Sequence, residues 1–157
     1  QSIQGKGTTF TLYFPVTRKE ITGKEESLPV ATYTGKGETI LLVDDVEEQR
    51  EIGSEILEKL GYSVTCVSSG EAAVNYLKTQ SADLIVLDMI MDPGMDGLDT
   101  YKRILQLHPG QKVVIASGFS ETERVREAQR LGAGPYIKKP YTIEKIGVVV
   151  KQALKRE

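Results

Sequence analysis

The chain has one cysteine, one histidine, almost no net charge and no long apolar run. With Cys66 alone, no internal disulfide can form. Its place in the β-type run Tyr62-Ser63-Val64-Thr65-Cys66-Val67 predicts a small buried residue without a redox role. The 20 Lys and Arg against 22 Asp and Glu leave no electrostatic basis for binding nucleic acid or a membrane surface. No apolar stretch approaches the roughly 20 residues that span a bilayer, and no secretory leader is visible. A soluble, cytoplasmic protein is the expectation. The sequence opens on Gln1 without a methionine, which suggests an excised piece of a longer polypeptide.

Short apolar runs that stop at charged residues are what is present. Ile40-Leu41-Leu42-Val43 leads into Asp44-Asp45, and Leu84-Ile85-Val86-Leu87 leads into Asp88. Unbroken runs of this length fit parallel strands buried on both faces. Further strands are expected at about 63–67, 112–116 and 135–138. Between them, Ile52, Ile56 and Leu60 give one apolar helical stripe with Gly61 as its stop, and Gly53 within it suggests close packing on the sheet. Ser68-Ser69-Gly70-Glu71 and Ser120-Glu121-Thr122-Glu123 fit capping boxes. Val125, Ala128 and Leu131, then Ile143, Ile146 and Val150, give two more stripes. Five strands alternating with five helices predict an α/β fold, a doubly wound parallel sheet with helices on both faces.

In such a sheet the ligand crevice lies outside the carboxyl ends of the strands, so Asp44, Asp45 and Asp88 should converge there with Lys139. Three converging carboxylates require a cation. Taken singly, each motif has a plainer reading. The acid pair suits a solvated helix start, Ser117-Gly118 a turn and Lys139-Pro140 an ordinary loop. Their joint occurrence is the signal.

Residues 38–157 resemble the receiver domain of two-component response regulators. The family carries an acid pair after its first strand, a phosphoacceptor Asp after the third, Thr or Ser after the fourth and Lys-Pro after the fifth. Here Asp44 and Asp45, Asp88, Ser117 and Lys139-Pro140 match in that order. The resemblance implies the flavodoxin-like strand order 2-1-3-4-5. It also implies Asp88 as nucleophile toward a phosphohistidine, with Mg²⁺ (or Mn²⁺ in its place) held by Asp44, Asp45, Asp88 and the backbone carbonyl of Ile90. Lys139 and Ser117 would contact phosphoryl oxygens, Ser117 and Tyr136 would act as the switch, and the bond before Pro140 would be cis. The phosphodonor would be a histidine kinase or a histidine phosphotransfer protein. His108, in a turn before Pro109-Gly110, does not suit that donor role, which the family places on a long dimerising helix.

Residues 1–17 resemble the last glycine box and final strand of the histidine-kinase ATP-binding domain. The motif is Gly5-Lys6-Gly7-Thr8-Thr9, followed by alternation that sets Phe10, Leu12 and Phe14 on one face of a half-buried strand closed by Pro15. Residues 18–37 then form a solvated linker. The two resemblances together imply the carboxyl-terminal end of a hybrid sensor histidine kinase, whose full-length parent is free to carry a membrane anchor. A strand cut from its sheet is expected to pair with a second copy, giving a homodimer, or to dock on the receiver. With no DNA-binding segment after the last helix, output would be by protein contact or phosphotransfer.

Two features depart from the family. Asp92, within Met91-Asp92-Pro93-Gly94-Met95-Asp96-Gly97, lengthens the loop after the nucleophile and is expected to bulge into solvent. Ile90, two residues past Asp88, is apolar and predicts slow self-dephosphorylation by shielding the acyl phosphate. Two other classes compete. A Mg²⁺-dependent aspartyl-phosphate phosphatase or transferase acting on an outside substrate would want a second acid two residues past its nucleophile, where Val46 and Ile90 stand. A flavodoxin-like ligand-binding domain would want a first loop rich in Gly, Ser or Thr, whereas Asp44-Asp45-Val46-Glu47-Glu48 repels phosphate.

Overall fold

A computed structural model of the chain describes residues 1–14, 29–118 and 122–155. An exposed two-stranded hairpin, β1 (Ser2–Ile3) and β2 (Gly7–Thr8), is followed after the undescribed segment by a 3₁₀ turn at Val30–Thr32. Then come β3 (Thr39–Val43), α1 (Glu47–Lys59), β4 (Ser63–Val67), α2 (Gly70–Leu77), β5 (Leu84–Asp88), α3 (Gly97–Leu107), β6 (Val113–Ser117), α4 (Glu123–Arg130), β7 (Tyr136–Lys138) and α5 (Ile143–Lys155). The five longer-range strands form one parallel sheet in the order β4-β3-β5-β6-β7. Counted within the domain, this is the expected 2-1-3-4-5 order.

The unbroken apolar runs are explained by the pleat. Successive side chains point to opposite faces, and here both faces are covered. Leu41, Val43, Ile85 and Leu87 pack with Leu98, Ile104 and Val125 of α3 and α4. Ile40, Leu42, Leu84 and Val86 pack with Leu57 of α1 and with Ile146 and Val150 of α5. Every residue of β5 and β6 is buried.

The helices differ from the sequence reading in phase. In α1 the inward face is Gly53, Ile56, Leu57 and Leu60, while Ile52 is exposed. Threefold steps turn 300° and fourfold steps 400°, so a stripe built on either drifts from one face, and one end member of each predicted triplet faces water. Leu131 and Ile143, at the ends of α4 and α5, are likewise exposed. Gly53 does pack closely, since a Cβ there would sit 2.9 Å from Leu42 Cδ2 and 3.1 Å from the Tyr141 hydroxyl. Gly61 ends the turn after α1 at φ +85.

Caps also shift. The N-cap of α2 is Ser69, which accepts from Ala72 N, and Glu71 instead reaches the loop after β5, accepting from Met95 N at 2.9 Å. Thr122 caps α4 by accepting from Val125 N, while Ser120 and Glu121 lie outside the described residues. Strand β6 runs one residue later than expected, and β7 starts one residue later because Pro135 has no N–H and contributes only its carbonyl, to Ile115 N.

Two expectations fail on exposure. Cys66 is exposed, because β4 is an edge strand with a largely uncovered face. Thr9–Phe14 forms no strand, and Phe10, Leu12 and Phe14 are all exposed rather than sharing a buried face. Alternation without a neighbouring strand to supply ladder bonds does not make a sheet. Residues 15–28 of the expected linker lie outside the described residues. Its last part is not solvated throughout: Tyr33 is buried against Leu60 and Gly147, and the amides of Gly35 and Gly37 donate to the carbonyls of Leu60 and Gly61.

Candidate functional site

The site stands where β3, β5, β6 and β7 end. Asp44 follows β3 directly, its amide still bonded to the Val67 carbonyl, and is buried. Its carboxylate accepts from Val46 N at 3.1 Å. Asp45, half-buried beside it, accepts from Asp92 N at 3.3 Å. Asp88 is the last residue of β5 and is buried, with Oδ1 accepting from Met89 N at 2.9 Å. One carboxylate oxygen from each of Asp44, Asp45 and Asp88 lies within 4.8 Å of the others.

Lys139 enters from the end of β7. Its ammonium is ion-paired with Asp44 and stands 3.5 Å from Asp88 Oδ1. Its backbone N–H donates to the Ser117 carbonyl at 2.8 Å, so the ends of β6 and β7 are joined at this point. Ser117 is buried as the last residue of β6. The Lys139–Pro140 bond is cis, as is Asp92–Pro93, which was not expected.

Burial pushes the Asp88 carboxyl up to about 6 despite the Lys139 ammonium, and the Asp44 charge adds to the rise. The Ile90 amide lies against the same carboxylate and opposes the shift. The Ile90 side chain is half exposed at the rim. Tyr136 is half-buried against the core that includes α4. Asp92 is exposed, in agreement with a bulge, but its amide ties the lengthened loop to Asp45.

Two neighbours of the site were not visible in sequence. Tyr141 follows the cis proline, and its hydroxyl is pushed up to about 12 by burial first and then by Asp44 and Asp88. Arg50, in the first turn and a half of α1, donates from Nη1 to the carbonyl oxygens of Asp44 and Asp45. The available signal for Arg50 was its place six residues after Asp44, one helical turn past the loop it reaches back to.

Among the described residues, no helix is long and apolar enough to cross a membrane.

An acid cluster opposed by one part-buried ammonium, at the carboxyl rim of a parallel sheet in this order, defines a receiver of two-component signalling. The chain belongs to the response regulator receiver domain family, whose model matches residues 40–151. Sporulation initiation phosphotransferase F of Bacillus subtilis is 33% identical over 117 residues, covering 74% of this chain and 94% of that protein. Sensor kinase CckA of Brucella abortus is 28% identical over 162 residues, covering 98% of this chain, which spans only 17% of CckA. Among solved structures, the N-terminal domain of a response regulator/sensory box/GGDEF 3-domain protein from Carboxydothermus hydrogenoformans superposes with a TM-score of 0.68. That match has 32% identity and covers 74% of this chain and 94% of that one.

Receiver domains take phosphate from histidine kinases or phosphotransfer proteins and bind Mg²⁺ in an acidic pocket. The residues here fit that ion. Three carboxylates supply hard oxygen donors within one small volume, as a divalent cation with several retained waters requires.

Proposed function

We propose that this chain is a phosphorelay receiver in which Asp88 accepts a phosphoryl group from a phosphohistidine in a Mg²⁺-dependent reaction. The observation that carries this reading is Lys139, whose one ammonium meets both Asp44 and Asp88 inside the acid cluster. An Asp88 carboxylate oxygen attacks phosphorus, the P–N bond of the donor breaks, and the imidazole leaves and takes up a proton. Mg²⁺, when bound, supplies the charge that offsets repulsion between an anionic phosphoryl group and the acids, with Asp45 and Asp88 holding it directly, Asp44 through water and the Ile90 carbonyl completing the protein ligands. Lys139 exchanges part of its contact with Asp44 for a phosphoryl oxygen, and the Ser117 hydroxyl donates to another. Those contacts favour one packing of Ser117 and Tyr136 over the other and so reshape the surface of α4, β7 and α5.

Incubation with Mg²⁺ and a small phosphodonor is expected to give an acid-stable, base-labile adduct on Asp88 that is absent from Asp88→Asn. Labelling elsewhere, or none, would refute the assignment. Turnover of an outside phosphate ester would instead favour the phosphatase reading. Nothing in the geometry favours that alternative, because exposed Val46 and Ile90 occupy the positions where it needs a second acid.

We further propose that the chain is the end of a hybrid sensor histidine kinase. In this reading residues 1–17 are a remnant of the ATP-binding domain, 18–37 a connection and 38–157 the receiver. The match to sensor kinase CckA over 98% of this chain supports it. The module would work in the cytoplasm, without nucleic acid or membrane contact. Exposed Phe10, Leu12, Tyr13 and Phe14 support association of two copies through the N-terminal segment. Sedimentation of the chain without residues 1–17 tests that: an unchanged association state would count against it.

A further inference from the structure

Arg50 takes no part in the chemistry above, yet it touches the backbone of both acids in the pair. Its Nη1 donates to the Asp44 carbonyl at 2.8 Å and to the Asp45 carbonyl at 2.9 Å. We propose that Arg50 is a positioning residue for the cation pocket, holding the Asp44 and Asp45 peptides so that their carboxylates are set for Mg²⁺ rather than for a larger ion.

The inference rests on the reading that these acids hold Mg²⁺. The segment Asp44-Asp45-Val46 connects β3 to α1. Val46, the N-cap of α1, makes no side-chain cap hydrogen bond. The other bonds here act on amides and carboxylates rather than on the Asp44 and Asp45 carbonyls: the Asp44 amide donates to the Val67 carbonyl, Val46 N to Asp44 Oδ1 and Asp92 N to Asp45 Oδ2. Two successive carbonyls turned to one side would repel each other without a donor between them. A guanidinium supplies charge-assisted bonds about twice as strong as neutral ones and stays charged at any working pH. Because each carbonyl is rigidly coplanar with the next amide, fixing both oxygens fixes both peptide planes and the direction of the Asp45 Cα–Cβ bond.

The choice of ion follows from rigidity. Mg²⁺ demands near-ideal octahedral geometry at about 2.0–2.1 Å, whereas Ca²⁺ accepts six to eight oxygens at about 2.3–2.6 Å in looser arrangements. A displaced Asp45 therefore harms Mg²⁺ binding more than Ca²⁺ binding. Simple electrostatics predicts the reverse sign: removing a cation beside three acids should tighten binding of both ions. Positioning and charge thus give opposite outcomes for one substitution.

Calorimetric titration of wild type, Arg50→Ala and Arg50→Lys with Mg²⁺ alone and with Ca²⁺ alone tests this, with urea unfolding of the metal-free proteins recording stability separately. Arg50→Ala is expected to weaken Mg²⁺ binding about tenfold, the low end for loss of an outer partner of a metal ligand, with a smaller change for Ca²⁺. Arg50→Lys should recover part of the loss. Unchanged or tighter Mg²⁺ binding, or equal weakening of both ions, would overturn the proposal. If Arg50→Ala does not fold, Arg50→Lys decides by the same criterion, with a severalfold loss expected for Mg²⁺ alone. A wild type that binds no Mg²⁺ would instead overturn the functional reading on which the proposal stands.

Discussion

Lys139 Nζ, brought in by the end of β7, is ion-paired with Asp44 at the end of β3 and stands 3.5 Å from Asp88 Oδ1. One positive charge therefore partners two buried carboxylates in the metal-free protein. Lys139→Met removes it and leaves both acids unpaired. Breaking a buried pair from one side costs about 3–5 kcal/mol. Urea unfolding at pH 7.5 without metal should show a loss of this order, partly restored by millimolar Mg²⁺. A variant as stable as wild type would show that the ammonium is not needed to hold the acids.

The Asp88 carboxyl, raised from 3.8 to about 6 chiefly by burial, makes stability depend on pH in a defined direction. Between those values the native state keeps a proton that the unfolded chain has released, so stability falls as pH rises through this window. Asp88→Asn cannot ionise. In metal-free buffer its stability advantage over wild type should be small near pH 4 and fully developed by pH 7. A difference that is flat across this range would contradict the raised carboxyl.

Gly97 begins α3 directly beneath the nucleophile. A Cβ there would lie 2.3 Å from the Asp88 carbonyl oxygen and 2.6 Å from Met89 Cα, both backbone atoms that cannot swing aside. Gly97→Ala is expected to cost about 1–3 kcal/mol, as overpacking does, and to slow phosphorylation by displacing Asp88. Thermal unfolding and labelling with a small phosphodonor check the two effects. Wild-type values for both would mean that the two backbones separate freely.

Ile90 stands half exposed at the rim, its amide against the Asp88 carboxylate. An apolar side chain here hinders the water that would hydrolyse an acyl phosphate, whereas Ile90→Asn would admit and orient one. Following the decay of phosphorylated protein should show a half-life shortened severalfold in the variant. An unchanged or longer half-life rules out shielding.

Thr100 Oγ1, buried on α3 against Gly70, is a side-chain oxygen without a hydrogen-bond partner among the described residues. Thr100→Val keeps the shape and removes the unpaired hydroxyl, so it should raise stability by about 1 kcal/mol. Denaturant midpoints measure this, and a loss of stability would reveal a partner for the hydroxyl.

The sheet was legible because its strands are covered on both faces: Leu84 to Leu87 has no polar position to break the run. The acids were legible because each ends such a run. Edge position was not, since Ser63–Val67 has the residues of a strand but nothing local says that one face lies open, and Cys66 was misplaced for that reason. Helix phase was lost at the ends, where Ile52, Leu131 and Ile143 satisfied a spacing rule but missed the neighbouring element. Alternation at Phe10, Leu12 and Phe14 specified a strand only if a partner were present. Arg50 and Tyr141 escaped notice because one acts on backbone carbonyls, which no side-chain motif encodes, and the other meets acids about 50 and 100 positions away.

The bond from the Lys139 amide to the Ser117 carbonyl, at the end of the β6–β7 ladder, couples two arms that would grip the same phosphoryl group. An arm hinged on its neighbour cannot answer alone. In the proposed receiver, whatever draws the serine inward would also carry the root of the lysine with it, so a phosphoryl group would be met by one geared motion rather than two independent adjustments.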